Sequence, residues 1–374
     1  MPPASRLPAF SMHPQVARVV PGHYRIPLPS VLTDSMHGAM RVFELNTVRV
    51  LDTDGVEGVG YTFTCGRNGA AIHAVIKHDF EELLAGEEAD RTEYLWKKLW
   101  WASHYGGRGG PTVLALSAVD MALWDLKAKR LNQPLWRLLG GHDPKVRCYA
   151  GGIDLELPLD QLLQQTDGNL ARGFRAIKMK VGRPNLAEDR ERVRALRQHL
   201  GEEFPLMADA NMKWTADEAI RASRVFAAFD LAWLEEPLIP DDFAGYRRVV
   251  REGALPIAAG ENLRTLWDFK HLIEIGGVTF PEPDVTNCGG ITPFLKIAHL
   301  AEAYNLPLTT HGAHDVTVHL LAAIPNASYL EAHGFGLDHY IAAPLRLEGG
   351  LAIAPDCSGH GVEFDWTGLQ SIQV

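Results

Sequence analysis

The sequence predicts an α/β protein: a modified TIM barrel of the (β/α)7β kind, with an α+β capping domain formed by the N-terminal region and the C-terminal tail. Three observations point to it. After Gly140-Gly141, eight short apolar segments alternate with amphipathic stretches over about 200 residues, the rhythm of βα units closing into a barrel. The 374 residues exceed one ordinary domain and suit a barrel with a smaller companion. No Gly-x-Gly-x-x-Gly follows a strand, which weakens a doubly wound dinucleotide-binding sheet.

Residues from about 14 to 65 read as strands. RVFELNTVRVLDTDG and VEGVGYTFT alternate apolar and polar positions, and Asp54-Gly55 between them is a hairpin signal. From about 67 to 139 the pattern is helical, ending with PTVLALSAVDMALWDLKAKRL, which opens at Pro111 after Gly109-Gly110. Strands followed by helices make residues 1–140 the capping domain. The barrel, 141–344, has strand segments CYAGGI, RAIKMKVG, FPLMADAN, LAWLEEPL, LPIAAGEN, VTFPEPDV, LPLTTHG and ASYLEAHG. Between two of them, in EDRERVRALRQHL, Val193, Leu196 and Leu200 share one helical face before Gly201 stops the helix. The tail, 345–374, contains LRLEGGLAIAPD and reads as a hairpin returning to the capping domain.

The composition narrows the partners. Lys and Arg number 36 against 46 Asp and Glu, a formal charge of −10, and no basic cluster is present to neutralise phosphates. An apolar fraction of 46% without long polar tracts argues against disorder. Cys65, Cys148, Cys288 and Cys357 are far apart and form no Cys-x-x-Cys, so neither a disulfide framework nor a zinc knuckle is expected. The first residues lack an apolar signal-peptide core and no long uncharged run could span a membrane. A cytoplasmic protein is the expectation, and the sequon Asn326-Ala327-Ser328 then reads as chance.

Seven strand segments carry ionisable residues at their C-terminal ends: Lys178 and Lys180, Asp209, Glu235, Glu261, Asp284, His311 and Glu331. One acid after a strand is commonly a helix cap. Seven at one end of a parallel barrel mark the face where such folds build sites. Asp209, Glu235 and Glu261 recur every 26 residues, one βα unit each, which points three carboxylates at a common centre. At about 4 Å and an effective dielectric of about 20, each pair repels by about 4 kcal/mol. A divalent cation relieves this, and an all-oxygen set with room for water and substrate points to one Mg²⁺. Glu236 follows Glu235 directly, so alternation turns only one of them to the centre, and spacing selects Glu235.

Lys178 and Lys180 lie two apart and share one strand face, with Ile177, Met179 and Val181 on the other. Facing inward, each should depress the other's pKa, a nearby Mg²⁺ should add to the effect, and a lysine tuned that way can act as a base. Asp284 and His311 end neighbouring strands; an Asp on one imidazole nitrogen fixes the tautomer and makes the other nitrogen the better base. His314, three residues on, is a candidate for the rim of the mouth.

These motifs together resemble the enolase superfamily, in particular its mandelate racemase subgroup. The resemblance covers nearly the whole chain and rests on Lys-x-Lys in IKMK, the Asp of ADAN, the first Glu of EEP, the Glu of GEN, the Asp of EPD and the His of THG. It implies Mg²⁺-assisted removal of a proton α to a carboxylate through an enediolate. It also implies that Glu331, in YLEAHG, hydrogen-bonds the substrate carboxylate, for which it would have to be protonated, or that Lys178 supports the developing charge. Lys180 and His311 would then be bases on opposite faces of the α-carbon. YAGGIDLELPLDQLL, IKMKVGRPNLAEDRERV and GGITPFLKIAHLA look most like acid-sugar dehydratases acting on talarate, galactarate or tartrate. The expectation is dehydration of a sugar acid or diacid to a 2-keto-3-deoxy acid. The alternatives are a racemase or epimerase of a 2-hydroxyacid or proline-type carboxylate, and a non-catalytic sugar-acid-binding barrel. Cap loops 28–38 and 61–70 should set specificity, with His37 and Arg67 as contacts to a distal polar group. Asn211 and His314 complete the substrate-contact candidates. The partner is a small carboxylate, with no nucleic acid and no membrane, and a homo-oligomer is expected. A metal-dependent amidohydrolase would want a His-x-His pair, which is absent. A Schiff-base aldolase would leave the carboxylate trio unexplained.

Overall fold

The computed structural model describes residues 11–333 and 336–374; the first ten residues, and Gly334 at the end of the eighth strand motif, lie outside the described residues. Three antiparallel strands, β1 (Val16–Asp34), β2 (Gly38–Asp52) and β3 (Glu57–Thr64), form the sheet of the cap in the order β1-β2-β3. The β2–β3 turn is the Asp54-Gly55 hairpin: Gly55 is left-handed at φ 82°, and Asp52 accepts the backbone N–H groups of Asp54 and Val56 at 2.9 and 2.8 Å. Helices α1 (Gly69–Val75), α2 (Glu81–Leu84), α3 (Thr92–Ser103), α4 (Gly110–Arg130) and α5 (Leu135–Leu138) follow. Helix α4 lies directly on β3 because two strand residues are glycines. A Cβ at Gly58 would stand 2.0 Å from the carbonyl of Ala122, and one at Gly60 2.0 Å from that of Ala118.

Seven of the eight barrel strands fall inside the expected segments and β4 starts three residues ahead of its own: β4 (Lys145–Gly151), β5 (Ile177–Lys180), β6 (Leu206–Asp209), β7 (Leu234–Glu235), β8 (Ile257–Ala259), β9 (Phe280–Pro281), β10 (Leu308–Thr310) and β11 (Ala327–Ala332). The intervening helices are α6 (Leu159–Ala171), α7 (Leu186–Leu200), α8 (Ala216–Phe226), α9 (Phe243–Glu252), α10 (Leu266–Glu274), α11 (Ile291–Ala303) and α12 (His314–Ala323). The pairing is parallel throughout in the order β10-β11-β4-β5-β6-β7-β8-β9, and β9 and β10 are neighbours without a ladder among the described residues.

The two-residue side-chain period of a strand stacks the interior in layers. Tyr149, Ala176, Met207, Trp233 and Ala258, with Phe280 and Tyr329, form a buried apolar plug. Two positions further along the same strands come Lys178, Asp209, Glu235, Glu282 and Glu331, all buried. The alternate set Ile177, Met179 and Val181 joins the main core between sheet and helices. The plug thus closes the bottom of the barrel and lifts the charged layer to its C-terminal mouth.

The tail departs from expectation. The hairpin β12 (Arg346–Glu348) and β13 (Leu351–Ile353) adds antiparallel to β4, not to the cap. Strand β4 pairs with β5 only at Ala150 and Gly151, so Lys145–Arg147 would present an open edge, and β13 fills it. The return to the cap comes later. Gly359 bridges Pro134, the His360 ring meets the Val59 carbonyl at 2.7 Å, Gln373 bridges Tyr24, and α13 (Trp366–Gln370) lies between these last contacts. No described helix is long and apolar enough to cross a membrane.

Candidate active site

Asp209 and Glu235 end adjacent strands, and Glu261 arrives just beyond β8, where Gly260 at φ 143° turns the chain inward. Their carboxylate oxygens lie within 4.8 Å of one another. The backbone N–H of Asn211 holds Asp209 Oδ1 at 2.8 Å and Trp233 Nε1 donates to Glu235 Oε2 at 2.9 Å, so both are oriented by neighbours from outside the trio. Glu261 Oε2 is buried without a hydrogen bond. An all-oxygen trio with an orphaned buried oxygen fits a hard divalent cation. Asn211, Met212 and Glu236, next to these ligands, all adopt left-handed backbone conformations at φ 41°, 63° and 36°. Glu236 lies outside the trio and accepts from Asn262 Nδ2 at 2.7 Å, and burial, with Glu261 and Asp209 nearby, pushes its carboxyl well above the usual range.

Both lysines face inward as their spacing implies. Lys178 Nζ contacts Glu235 and lies 2.7 Å from Glu331 Oε1; Lys180 Nζ contacts Asp209 Oδ2. Burial opposes both charges and Lys178 lowers Lys180, the direction expected. The facing carboxylates outweigh this and hold both pKa values above the ordinary lysine range. Two ammonium groups therefore neutralise the acids around the trio.

His311 Nδ1 lies 2.8 Å from Asp284 Oδ2, while Asp284 Oδ1 accepts from the backbone and hydroxyl of Thr286 at 2.7 and 2.6 Å. The other nitrogen, Nε2, faces Glu261 and Glu331 at 3.6 and 3.7 Å. Against burial, these carboxylates and the Asp284 hydrogen bond raise His311 well above the usual imidazole range. Although burial raises Glu331, Lys178, His333 and His311 hold it well below the carboxylate range.

The trio's Glu261, with Lys180, His311 and Glu331, opens into a cavity of about 390 Å³ whose other wall is the cap, including Asp34, His37 and Arg67. His37 Nδ1 lies 2.7 Å from Asp34 Oδ2, and that hydrogen bond raises its pKa against the effect of burial. Ser35 Oγ donates to the Ala210 carbonyl at 2.6 Å, seating this cap loop on the strand that carries Asp209. Asn211 also lines the cavity. His314 does not. It lines an adjoining cavity and lies 3.4 and 3.6 Å from carboxylate oxygens of Asp315 and Asp338.

Sequence reasoning missed four buried or cavity-lining groups. Glu282 accepts from the Tyr149 hydroxyl at 3.2 Å, and His333 Nε2 lies 3.2 Å from Glu331 Oε2 with its ring centre 5.1 Å from that of His311. Each lies two positions from a residue already singled out, Asp284 or Glu331, so the strand period could have found them. Asn262 and Arg264, on the loop after Glu261, carried no such signal.

A (β/α)7β barrel whose mouth holds a carboxylate cation site flanked by lysine and histidine–aspartate acid–base groups, under an α+β cap, defines a class of metal-assisted proton-transfer folds. The family models agree. Residues 21–140 match the mandelate racemase / muconate lactonizing enzyme N-terminal domain and residues 161–368 the enolase C-terminal domain-like model. The chain belongs to the enolase superfamily, in its mandelate racemase subgroup. It is 56% identical to a 3,6-anhydro-α-L-galactonate cycloisomerase of Streptomyces coelicolor, over 96% of this chain and 99% of the relative. It is 39% identical to an L-talarate/galactarate dehydratase of Salmonella typhimurium, over 92% and 89%. Among solved structures, a racemase from Streptomyces coelicolor A3(2) with bound magnesium superposes with a TM-score of 0.94 at 56% identity, covering 96% of this chain and all of that one. An L-talarate dehydratase from Polaromonas sp. JS666, complexed with Mg and L-glucarate, gives 0.91 at 34% identity, covering 96% and 98%.

Proposed function

We propose that this chain removes the proton α to the carboxylate of a sugar acid and expels the oxygen on the β-carbon, giving a 2-keto-3-deoxy acid. The observation that carries this reading is that Lys180 and His311, the latter held by Asp284, line the same cavity as Glu261 of the carboxylate trio. Asp209, Glu235 and Glu261 would hold Mg²⁺, and the solved relatives include magnesium-bound forms. Bound there, Mg²⁺ would supply Lewis-acid stabilisation of the charge that develops on the substrate carboxylate. Lys178, fixed beside Glu235, donates toward that same carboxylate. Lys180 and His311 reach the cavity from strands three steps apart around the barrel, so they approach the α-carbon from different sides. One takes the α-proton and the other delivers a proton to the departing oxygen. Once Asp209 is engaged as a ligand, Lys180 loses the carboxylate that keeps it charged, which suits it to the base role.

The fate of the β-oxygen separates two readings. If that oxygen is an ether tied back into the sugar, as the name of the 56% identical relative specifies, elimination opens a ring and the product is an isomer. If it is a free hydroxyl, water leaves and the reaction is the dehydration that the talarate/galactarate relative is named for. The higher identity favours ring opening of a 3,6-anhydro sugar acid, with dehydration second. A screen of both acid classes with Mg²⁺ tests this, reading keto product by semicarbazide, product mass, and optical rotation. Keto product of unchanged mass supports ring opening, and loss of one water supports dehydration. Rotation change without keto product overturns both in favour of racemisation, and no turnover of any acid favours a non-catalytic barrel.

A further inference from the structure

Beside the active site lies a second cavity, of about 700 Å³, with His314 and Asp338 in its wall. His314 and Asp315 open α12, and Asp338 belongs to the 3₁₀ turn Leu337–Tyr340. Their side chains converge: one ring nitrogen and one oxygen from each carboxylate lie within 4.8 Å of one another. His314 Nε2 stands 3.4 Å from Asp315 Oδ1 and 3.6 Å from Asp338 Oδ1. A charge-assisted N–H···O bond closes to about 2.7–2.9 Å, so these atoms meet without satisfying one another. His314 and Asp315 are only 7% and 6% exposed, and Asp315 Oδ1 is buried without a hydrogen-bond partner. An acceptor left in that state, facing an imidazole and a second carboxylate, calls for a cation.

The separations identify which cation. Around a tetrahedral Zn²⁺ with bonds of about 2.0–2.1 Å, neighbouring ligand atoms stand about 3.3–3.4 Å apart. Around an octahedral Mg²⁺ with bonds of similar length, adjacent ligands close to about 2.9 Å. The distances at His314 match the first geometry and exceed the second, and imidazole suits zinc-like ions where magnesium prefers oxygen alone. We propose that His314, Asp315 and Asp338 form a second metal site, for a divalent cation of the Zn²⁺ type. The fourth position is left to water from the cavity. Asp338, its side chain 47% exposed at the rim, gives the ion a way in. The site is distinct from the carboxylate trio and does not depend on the proton chemistry proposed above. Its consequence is structural: His314 lies three residues beyond His311, and Asp338 seven beyond Glu331. A bound ion therefore ties together the two segments that leave the strand ends carrying His311 and Glu331.

The test titrates Zn²⁺ into the untagged full chain, already saturated with Mg²⁺, by calorimetry. Co²⁺ serves as an optical probe, because a four-coordinate Co²⁺ site absorbs far more strongly in the visible than a six-coordinate one. The wild type is expected to take up Zn²⁺ while keeping its Mg²⁺, to show the intense Co²⁺ bands, and to unfold at higher temperature with Zn²⁺ present. Asp338→Asn changes a half-exposed side chain and is the variant least able to disturb folding. It should weaken Zn²⁺ binding by about 100-fold or more and leave Mg²⁺ affinity within about threefold. His314→Gln should lose Zn²⁺ in the same way, and the Co²⁺ bands and the thermal shift should vanish in both variants. Each variant is decisive without the other, so one that fails to fold does not spoil the test. A wild type that takes up no Zn²⁺ beside its Mg²⁺ would overturn the proposal and leave the cluster an ion pair. Uptake that both variants retain would overturn it equally, by placing the ion elsewhere.

Discussion

Gly312 leaves no room for a side chain beside Asp284: a Cβ there would stand 2.8 Å from Asp284 Oδ2, the oxygen that holds His311. The same residue is left-handed at φ 58° and donates its N–H to Glu331 Oε2 at 3.3 Å. The glycine of THG thus lets a carboxylate from the sixth strand reach an imidazole on the seventh. Gly312→Ala combines backbone strain of about 1 kcal/mol with displacement of the Asp284 carboxylate. We expect kcat to fall at least about tenfold while Mg²⁺ affinity stays within about threefold, because the trio is untouched. Steady-state kinetics and calorimetry on the purified variant check this; unchanged kcat would mean the dyad geometry is not required.

Lys180 and His311 should separate in isotope exchange. Lys180→Ala and His311→Asn should each abolish product formation. Only the residue that takes the α-proton should also abolish exchange of that proton with D₂O, leaving the other variant with partial exchange. Full turnover in either variant would end the two-base assignment. Lys180→Ala should bind Mg²⁺ at least as tightly as wild type, since it frees Asp209 from its ammonium partner.

Adjacent glutamates should behave differently toward the metal. Glu235 belongs to the trio, whereas Glu236 lies outside it and is hydrogen-bonded to Asn262, and glutamine is nearly isosteric with it. Glu235→Gln should weaken Mg²⁺ binding by about 100-fold or more, and Glu236→Gln by less than about threefold. Equal losses by calorimetry would refute the orientation argument.

Periodicity explains what the sequence made legible. The eight strands and the trio follow from local pattern, because a strand's two-residue alternation and the 26-residue repeat of Asp209, Glu235 and Glu261 are both written in residue order. The charge partners of Lys178 and Lys180 were not legible in residue order. Their actual partners, Glu235, Glu331 and Asp209, are far away in the chain. The β13 pairing depends on how far β4 outruns β5, and Arg264 stands out only because its buried Nη1 has no hydrogen-bond partner. Neither quantity exists until the chain is folded.

A buried histidine away from the site should make folding stability fall in mild acid. His319 is completely buried; its Nδ1 accepts the Trp136 N–H at 3.3 Å and its Nε2–H donates to the His360 carbonyl at 3.0 Å. Burial, with His360 beside it, lowers its pKa from 6.5 to about 3. Above 6.5 the ring is neutral whether folded or not, and its contribution to stability is constant. Below 6.5 the unfolded chain takes up a proton that the folded protein refuses, so stability drops as pH falls and levels off only near 3. At about 1.4 kcal/mol per pH unit, this one group costs about 2–3 kcal/mol by about pH 4.5. His319→Gln keeps a donor and an acceptor but cannot titrate. Urea unfolding at about pH 7.5 and about pH 4.5 should show the wild type losing about 2–3 kcal/mol more than the variant over that interval. Parallel losses in the two proteins would show that His319 is not the group responsible.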